Sequence, residues 1–132
     1  MCGIFGFVGS KYSNNKVDLS AMKTSLAHRG PDHFDFFTSL LNEDLEINFG
    51  HVRLSIIDTS NAGSQPMTSH SGRYVIVFNG EIYNFLDIKK EIIEKKPTIE
   101  WKSSSDTEVL LAGIELFGLE ECVSKLVGMF AF

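Results

Sequence analysis

The chain has 132 residues, 43% of them hydrophobic and 22% charged, which is enough for one domain with a substantial core. Its net charge of −5 argues against a nucleic-acid-binding surface, because such surfaces need clustered Lys and Arg. The nearest basic cluster, Lys89 to Lys96, is interspersed with glutamates and is typical of a solvated helix face. No segment approaches transmembrane length and no signal peptide is visible. We therefore expect neither nucleic-acid nor membrane partners.

The cysteines and histidines limit the chemistry further. Cys2 and Cys122 lie near opposite ends of the chain, so a disulfide framework is not indicated and a reducing cytoplasm is favoured. The spacings of the histidines match no zinc pattern, which predicts that the chain binds no metal. Phosphate-loop and dinucleotide-binding glycine patterns are also absent, so we expect no cofactor within this chain.

The first half of the chain predicts strands around one helix, from the periodicity of apolar residues. In chain order these are a glycine-punctuated strand over 3–9, a polar turn over 10–15, a helix over 18–27 ended by Gly30-Pro31, strands over 34–41 and 45–49, a short extended segment over 54–57, and a polar loop over 58–65. The alternation in the strand over 45–49 indicates that one of its faces is buried.

The second half begins with the clearest strand, Tyr74 to Phe78, which runs into the turn dipeptide Asn79-Gly80. The later elements are a helix over 83–95 ended by Pro97, a helix that follows a Ser105–Glu108 capping box and ends at Gly118, a short helix over 120–125, and an apolar segment over 127–132. Because a domain rarely stops inside an apolar strand, we expect the chain to be C-terminally incomplete.

Cys2 is a candidate nucleophile. Methionine is normally trimmed before a small residue, and trimming would place a thiol and a free α-amine on the same residue. An α-amine titrates at about 7.7–8.0 and a thiol at about 8.5, so the amine can act as general base for its own thiol near neutral pH. The alternative is that Cys2 is simply a small buried residue at the start of a strand, and position alone favours that alternative.

Asn79-Gly80 can supply an oxyanion hole. A thiol that attacks an amide needs hydrogen-bond donors for the oxyanion that develops, and an Asn side chain with a backbone N–H group provides two. The pair follows a predicted core strand, where a rigid scaffold meets an exposed turn. A plain hairpin turn is the alternative.

Arg53 and Asp106 can recognise an amino acid. The Arg53 guanidinium suits a bidentate contact with an α-carboxylate, although a surface ion pair is an equally good interpretation. The Asp106 carboxylate can hold an α-ammonium group. Its position at a predicted helix start also suits a capping role.

Seven segments, taken together, resemble one known family. They are Met1-Cys2-Gly3-Ile4-Phe5-Gly6, His28-Arg29-Gly30-Pro31-Asp32, His51 to Asp58, Gln65-Pro66-Met67, Phe78-Asn79-Gly80-Glu81-Ile82-Tyr83-Asn84, Ser105-Asp106-Thr107-Glu108 and Gly128-Met129-Phe130-Ala131-Phe132. In this order they resemble the class II glutamine amidotransferases, and among these the glutamine-hydrolysing asparagine synthetases most.

The resemblance implies an α+β fold, the four-layer αββα N-terminal-nucleophile hydrolase sandwich of two antiparallel sheets. It implies that residues 1–132 are a truncated glutamine amidotransferase type 2 domain. The implied catalytic residues are Cys2, Asn79 and Gly80. The implied substrate-binding residues are Arg53, Leu54, Ser55, Ile56, Ile57, Glu81 and Asp106, with the segment 54–57 contributing its backbone.

The implied reaction is hydrolysis of glutamine to glutamate and ammonia in the cytoplasm. Ammonia would pass to a C-terminal synthetase domain, absent from these residues, that uses ATP and Mg to convert aspartate to asparagine. A homodimer is compatible with this expectation. Two alternatives stay open, namely the same glutaminase serving another acceptor, such as a surface-polysaccharide sugar, and an inactive truncated fragment.

Overall fold

The computed structural model describes residues 2–12, 18–55 and 60–132. The strands and α-helices within these residues are β1 (Gly3–Ser10), α1 (Leu19–Leu26), β2 (His33–Leu40), β3 (Leu45–Arg53), β4 (Met67–Thr68), β5 (Val75–Ile76), β6 (Asn79–Ile82), α2 (Phe85–Lys95), α3 (Asp106–Phe117), α4 (Leu119–Lys125) and β7 (Gly128–Ala131). All strand pairs among them are antiparallel, which confirms the predicted α+β class. None of the helices in the described residues is long and apolar enough to cross a membrane.

The described strands form three hydrogen-bonded sheets, where the resemblance implied two. Their orders are β1-β3-β2, β4-β5 and β6-β7. The division arises because Val77 and Phe78, between β5 and β6, belong to no strand. The ladder is therefore interrupted at the point where the sequence alone predicts its strongest strand.

β3 is the central strand of the largest sheet, and its end lies in the interior. Gly3 of β1 pairs with Val52 of β3, and His33 of β2 pairs with Arg53. The last residues of β3, from Gly50 to Arg53, are buried, whereas its start at Leu45 is exposed. The start of β1 and the end of β3 therefore lie together at the buried end of the sheet.

The main core lies between the helices and the two small sheets. Residues from Asp106 to Ile114 of α3 are all buried, and Ile88 and Ile92 of α2 pack in the same cluster. The sequence also predicts Leu86 and Ile93 as apolar positions of the helix over 83–95. They lie on the other side of α2 and are exposed, because a helix between core and solvent buries only one stripe.

Both predicted ends of α3 are confirmed. The Ser105 hydroxyl accepts the Glu108 N–H at 3.2 Å, and Gly118, with φ of 84°, ends the helix. The other half of the predicted capping box differs. The Glu108 carboxylate accepts the N–H groups of Lys102 and Ser103, so it organises the loop before the helix.

The predicted strand over 74–78 is confirmed only at Val75 and Ile76, and the predicted turn at Asn79-Gly80 is wrong. Only Val75 and Ile76 pair in β5, and Asn79 and Gly80 begin β6, with Gly80 opposite Phe130 of β7. An Asn-Gly pair favours a turn by local preference. Here pairing with a strand about 50 residues further along overrides that preference.

Adjacent isoleucines in α2 test the position of the core. Ile92 is 0% exposed and Ile93 is 40% exposed. We expect Ile92→Ala to reduce the free energy of unfolding by about 2–5 kcal/mol, because it leaves a cavity in the core. The matched control Ile93→Ala should change it by about 0.5 kcal/mol or less. Urea denaturation measures both, and equal losses would contradict the packing described for α2.

Candidate active site

A cavity of about 170 Å³ lies where the end of β3, the start of β6 and the start of α3 meet. Eight of the ten predicted site residues line it, and these are Cys2, Arg53, Leu54, Ser55, Asn79, Gly80, Glu81 and Asp106. The remaining two, Ile56 and Ile57, lie outside the described residues. Residues as far apart in the sequence as Cys2 and Asp106 therefore line one small, partly polar cavity, which is the usual form of a metabolite-binding pocket.

The Cys2 thiol is held against the residue that follows β3. The Leu54 N–H donates to the Cys2 sulfur at 3.3 Å, and the thiol lies 3.6 Å from the Leu54 carbonyl oxygen, to which it donates. The Arg29 Nε donates to the Cys2 carbonyl oxygen at 2.9 Å and fixes the backbone of the same residue. These three contacts fix the position of both the sulfur and the backbone of Cys2.

The Arg53 guanidinium is buried, with 7% of the residue exposed, so the interpretation of Arg53 as a surface ion pair is wrong. Its Nη1 donates to the Ser60 carbonyl oxygen at 2.8 Å and to the Ser64 hydroxyl at 3.4 Å. These bonds come from the loop after β3 and restrict the orientation of the guanidinium beside the cavity. A fixed guanidinium loses little conformational entropy when it binds a carboxylate.

Asn79 and Gly80 line the cavity from the edge of β6. Asn79 is half-buried, and Gly80 pairs with Phe130. A Cβ atom at Gly80 would lie only 2.4 Å from the Met129 carbonyl oxygen. Only glycine fits this close approach of β6 to β7, so the residue is needed by the fold as well as available to the site.

Asp106 is the first residue of α3 and lies almost wholly inside the protein. Its Oδ2 accepts the Ile82 N–H at 3.0 Å, which links the start of α3 to the end of β6. Burial raises the pKa of the Asp106 carboxyl, against hydrogen bonds from Ile82 and Thr107 that lower it. A cation beside this carboxylate would offset the cost of its burial, so the site favours binding of an ammonium group.

The other predicted contacts lie at the rim. Glu81 is exposed, in contrast to Arg53 and Asp106. Leu54 and Ser55 are half-buried, and the Ser55 N–H donates to Asp32 Oδ2 at 2.8 Å. This bond ties Ser55, which lines the cavity, to Asp32 of the Gly30-Pro31-Asp32 segment.

The sequence interpretation assigned no role to two buried polar residues of the cavity wall, His51 and Gln65. They are 0% and 6% exposed, and each bonds to the backbone of Phe78. Gln65 lies in the Gln65-Pro66-Met67 segment that carries the resemblance, so that segment was the available signal. His51 precedes Arg53 by two residues in a buried strand, where a histidine is expected to need a partner.

Two other groups stand apart from the site. Cys122 is 0% exposed in the core, and burial raises the pKa of its thiol to about 11, as expected for an unreactive core cysteine. Among residues 2–12, 18–55 and 60–132, no group of three or more His, Cys, Asp or Glu side chains is arranged to hold a metal ion.

The chain belongs to the glutamine amidotransferase family, since the family model described as a glutamine amidotransferase domain matches residues 1–132. It is 40% identical to the glutamine-hydrolysing asparagine synthetase 1 of Bacillus subtilis (strain 168), with 100% of this chain and 20% of the relative covered. It is 37% identical to the glutamine-hydrolysing asparagine synthetase of Gallus gallus, with 100% of this chain and 22% of the relative covered. The chain thus spans about a fifth of the length of these relatives.

His51 makes stability depend on pH. Burial lowers the pKa of His51 to about 4 from 6.5, helped by the charge of Arg53 and opposed by the bond to Phe78. Between these values the unfolded chain binds a proton that the folded chain does not. The neutral His51 therefore contributes about 3 kcal/mol to the free energy of unfolding above pH 6.5, and this contribution declines as the pH falls towards 4.

We expect chemical denaturation at about pH 7.5 and about pH 4.5 to show this decline in the wild type. The variant His51→Gln, which carries no titratable group at this position, should show a smaller decline. All other titratable groups are shared by the two proteins, so the difference between their declines in stability isolates the contribution of His51. An identical decline in both would contradict the burial of a neutral imidazole.

Proposed function

We propose that this chain hydrolyses glutamine to glutamate and ammonia, with Cys2 as the nucleophile. The observation that carries the proposal is the convergence of a thiol, a buried guanidinium and a buried carboxylate on one cavity. These are the groups that a hydrolase for an amino-acid amide needs, since one attacks the amide and two hold the charged amino-acid end. Membership of the glutamine amidotransferase family supports the same reaction.

Arg53 and Asp106 recognise the amino-acid end of glutamine. The anchored guanidinium of Arg53 binds the α-carboxylate, and the buried carboxylate of Asp106 binds the α-ammonium group. Glu81, at the rim, adds a second negative charge for the ammonium group. The backbone of residues 54–57 makes further contacts to the bound glutamine. Opposite charges at fixed places select for a zwitterion and orient its side-chain amide towards Cys2.

The reaction passes through a thioester. The Cys2 thiolate attacks the side-chain carbonyl carbon, an S–C bond forms, and the carbonyl electron pair moves onto oxygen. The Asn79 side-chain amide and the Gly80 N–H stabilise this oxyanion. Its collapse breaks the C–N bond after the nitrogen has received a proton, and ammonia leaves. Water then adds to the thioester, the C–S bond breaks, and glutamate leaves as the thiol recovers its proton.

The α-amine of Cys2 is the base for both steps, which requires removal of Met1. The amine takes the proton of the thiol, delivers it to the leaving nitrogen, and later activates the attacking water. The bond from Arg29 Nε to the Cys2 carbonyl oxygen fixes the residue that carries both amine and thiol. We place the reaction in the cytoplasm, where reducing conditions keep such a thiol free.

The ammonia serves asparagine synthesis in the full-length protein. Both relatives described above are named glutamine-hydrolysing asparagine synthetases, and this chain spans only about a fifth of each. The ATP, the Mg and the aspartate would be bound by a synthetase domain beyond these residues. Homodimer formation stays a prediction.

Loss of the thiol tests the nucleophile. In the full-length protein, Cys2→Ala should lower the rate of ammonia release from glutamine by a factor on the order of 10⁴ or more, because no other group can form the thioester. Cys122→Ala is the matched control and should retain activity, since Cys122 lies in the core away from the cavity. Undiminished ammonia release by Cys2→Ala would overturn the assignment.

Retention of a residue before Cys2 tests the base. A preparation with a cleavable N-terminal tag should be inactive with glutamine and should gain activity when a protease exposes Cys2. The activity gained should rise with pH around the titration of an α-amine, about 7.7–8.0. Intact mass before and after cleavage verifies the terminus. Equal activity of the uncleaved protein would mean that another group is the base.

A further inference from the structure

Phe78 has an unusual environment for a residue between two strands. It belongs to neither β5 nor β6, so no ladder satisfies its backbone. Its N–H donates to Gln65 Oε1 at 2.6 Å, and its carbonyl oxygen lies 3.2 Å from His51 Nε2. Both polar groups of this buried residue are therefore bound by buried side chains, each from a different segment of the chain.

The His51 contact has a defined polarity. A carbonyl oxygen only accepts, so Nε2 carries the hydrogen and donates it to Phe78. Because burial lowers the pKa of His51 to about 4, the ring is neutral near pH 7 and Nδ1 carries no hydrogen. The Nδ1 atom has no hydrogen-bond partner in the described part of the chain. The donated bond to Phe78 is thus the polar contact that orients the ring.

The same network holds the other end of the segment that follows. Gln65 Nε2 donates to the Thr107 hydroxyl at 3.3 Å, and the neighbouring Asp106 accepts the Ile82 N–H at 3.0 Å. Residues 79–81 therefore run between two clamped positions, Phe78 before them and Ile82 after them. Pairing with β7 fixes their remaining edge.

We propose that His51 and Gln65 are positioning residues that set the geometry of the Asn79–Gly80 oxyanion hole through the backbone of Phe78. The inference rests on the proposed function, because it requires an oxyanion at that place. A donor contributes fully only when it is aimed at the position of the developing charge, and a displacement of about 1 Å can cost about 10²-fold in rate. Asn79 follows Phe78 directly, so rotation of the Phe78 peptide would redirect both donors.

Matched pairs of side chains separate this role from general packing. In the full-length protein, His51→Gln keeps an N–H donor at the reach of Nε2, whereas His51→Asn ends one carbon short of it. Gln65→Glu likewise keeps the acceptor for the Phe78 N–H, and Gln65→Asn withdraws it. We expect the two shortened variants to lose about 10–100-fold in kcat with KM for glutamine changed by about threefold or less. The longer variants should recover at least about tenfold of that loss.

A control variant measures the effect of stability alone. Asn48→Leu removes another buried polar group of β3, whose side-chain oxygen accepts the Thr38 hydroxyl at 2.6 Å outside the cavity. It should lower Tm without lowering kcat. If all four variants lose kcat only in proportion to Tm, as a purely structural role requires, the proposal is overturned. Unchanged kcat in the shortened variants overturns it as well.

Two further measurements distinguish an effect on the oxyanion hole from an effect on the nucleophile Cys2. Alkylation of Cys2 by iodoacetamide forms no oxyanion, so its rate should be unchanged in the shortened variants. Glutamine affinity, measured by calorimetry in a Cys2→Ala background, should also be unchanged. A slower alkylation would show that the substitutions act on Cys2, and it would overturn the positioning role of His51 and Gln65 alone. If Cys2 of the wild type is alkylated but the protein releases no ammonia from glutamine, the proposed function is overturned, and the positioning role with it.

Discussion

The antiparallel pairing of β1 with β3 is the constraint on which the site depends. With Gly3 opposite Val52, the antiparallel register places residue 2 opposite Arg53 and next to Leu54. The bonds between the Cys2 sulfur and Leu54 are the direct result. Since side chains alternate along a strand, a shift of one residue in this register would turn Arg53 away from the cavity. One register therefore places both the thiol and the guanidinium.

The second requirement is that buried polar groups find partners. The cavity wall contains the buried residues His51, Gln65 and Asp106, and each buried polar group left unsatisfied would cost about 1–3 kcal/mol. Each of the three bonds to backbone in or beside β6, so the cost of burial is offset by rigidity in the strand that carries Asn79 and Gly80. Stability and geometry of the site thus depend on the same bonds.

Much of the fold could be predicted from local signals. The start of α3 after its cap Ser105 and its end at Gly118 follow from capping preferences, and β3 follows from the alternation over 45–49. The prediction was wrong over 77–80, where the structure has no strand at Val77 and Phe78 and has a strand instead of a turn at Asn79-Gly80. The local sequence around Phe78 predicts neither the interruption of the ladder there nor the pairing of β6 with a strand near Phe130.

The sequence by itself determined which chemical groups are available, because a thiol at position 2, a guanidinium and the amide of Asn79 are properties of single residues, and the resemblance implied that they act together. Only the tertiary structure decided how they are held. The neutral state of His51 comes from burial, and the two bonds to Phe78 join segments 13 and 27 residues away in the chain. Such contacts depend on packing between distant segments, whereas local patterns record only short-range sterics and hydrogen bonding.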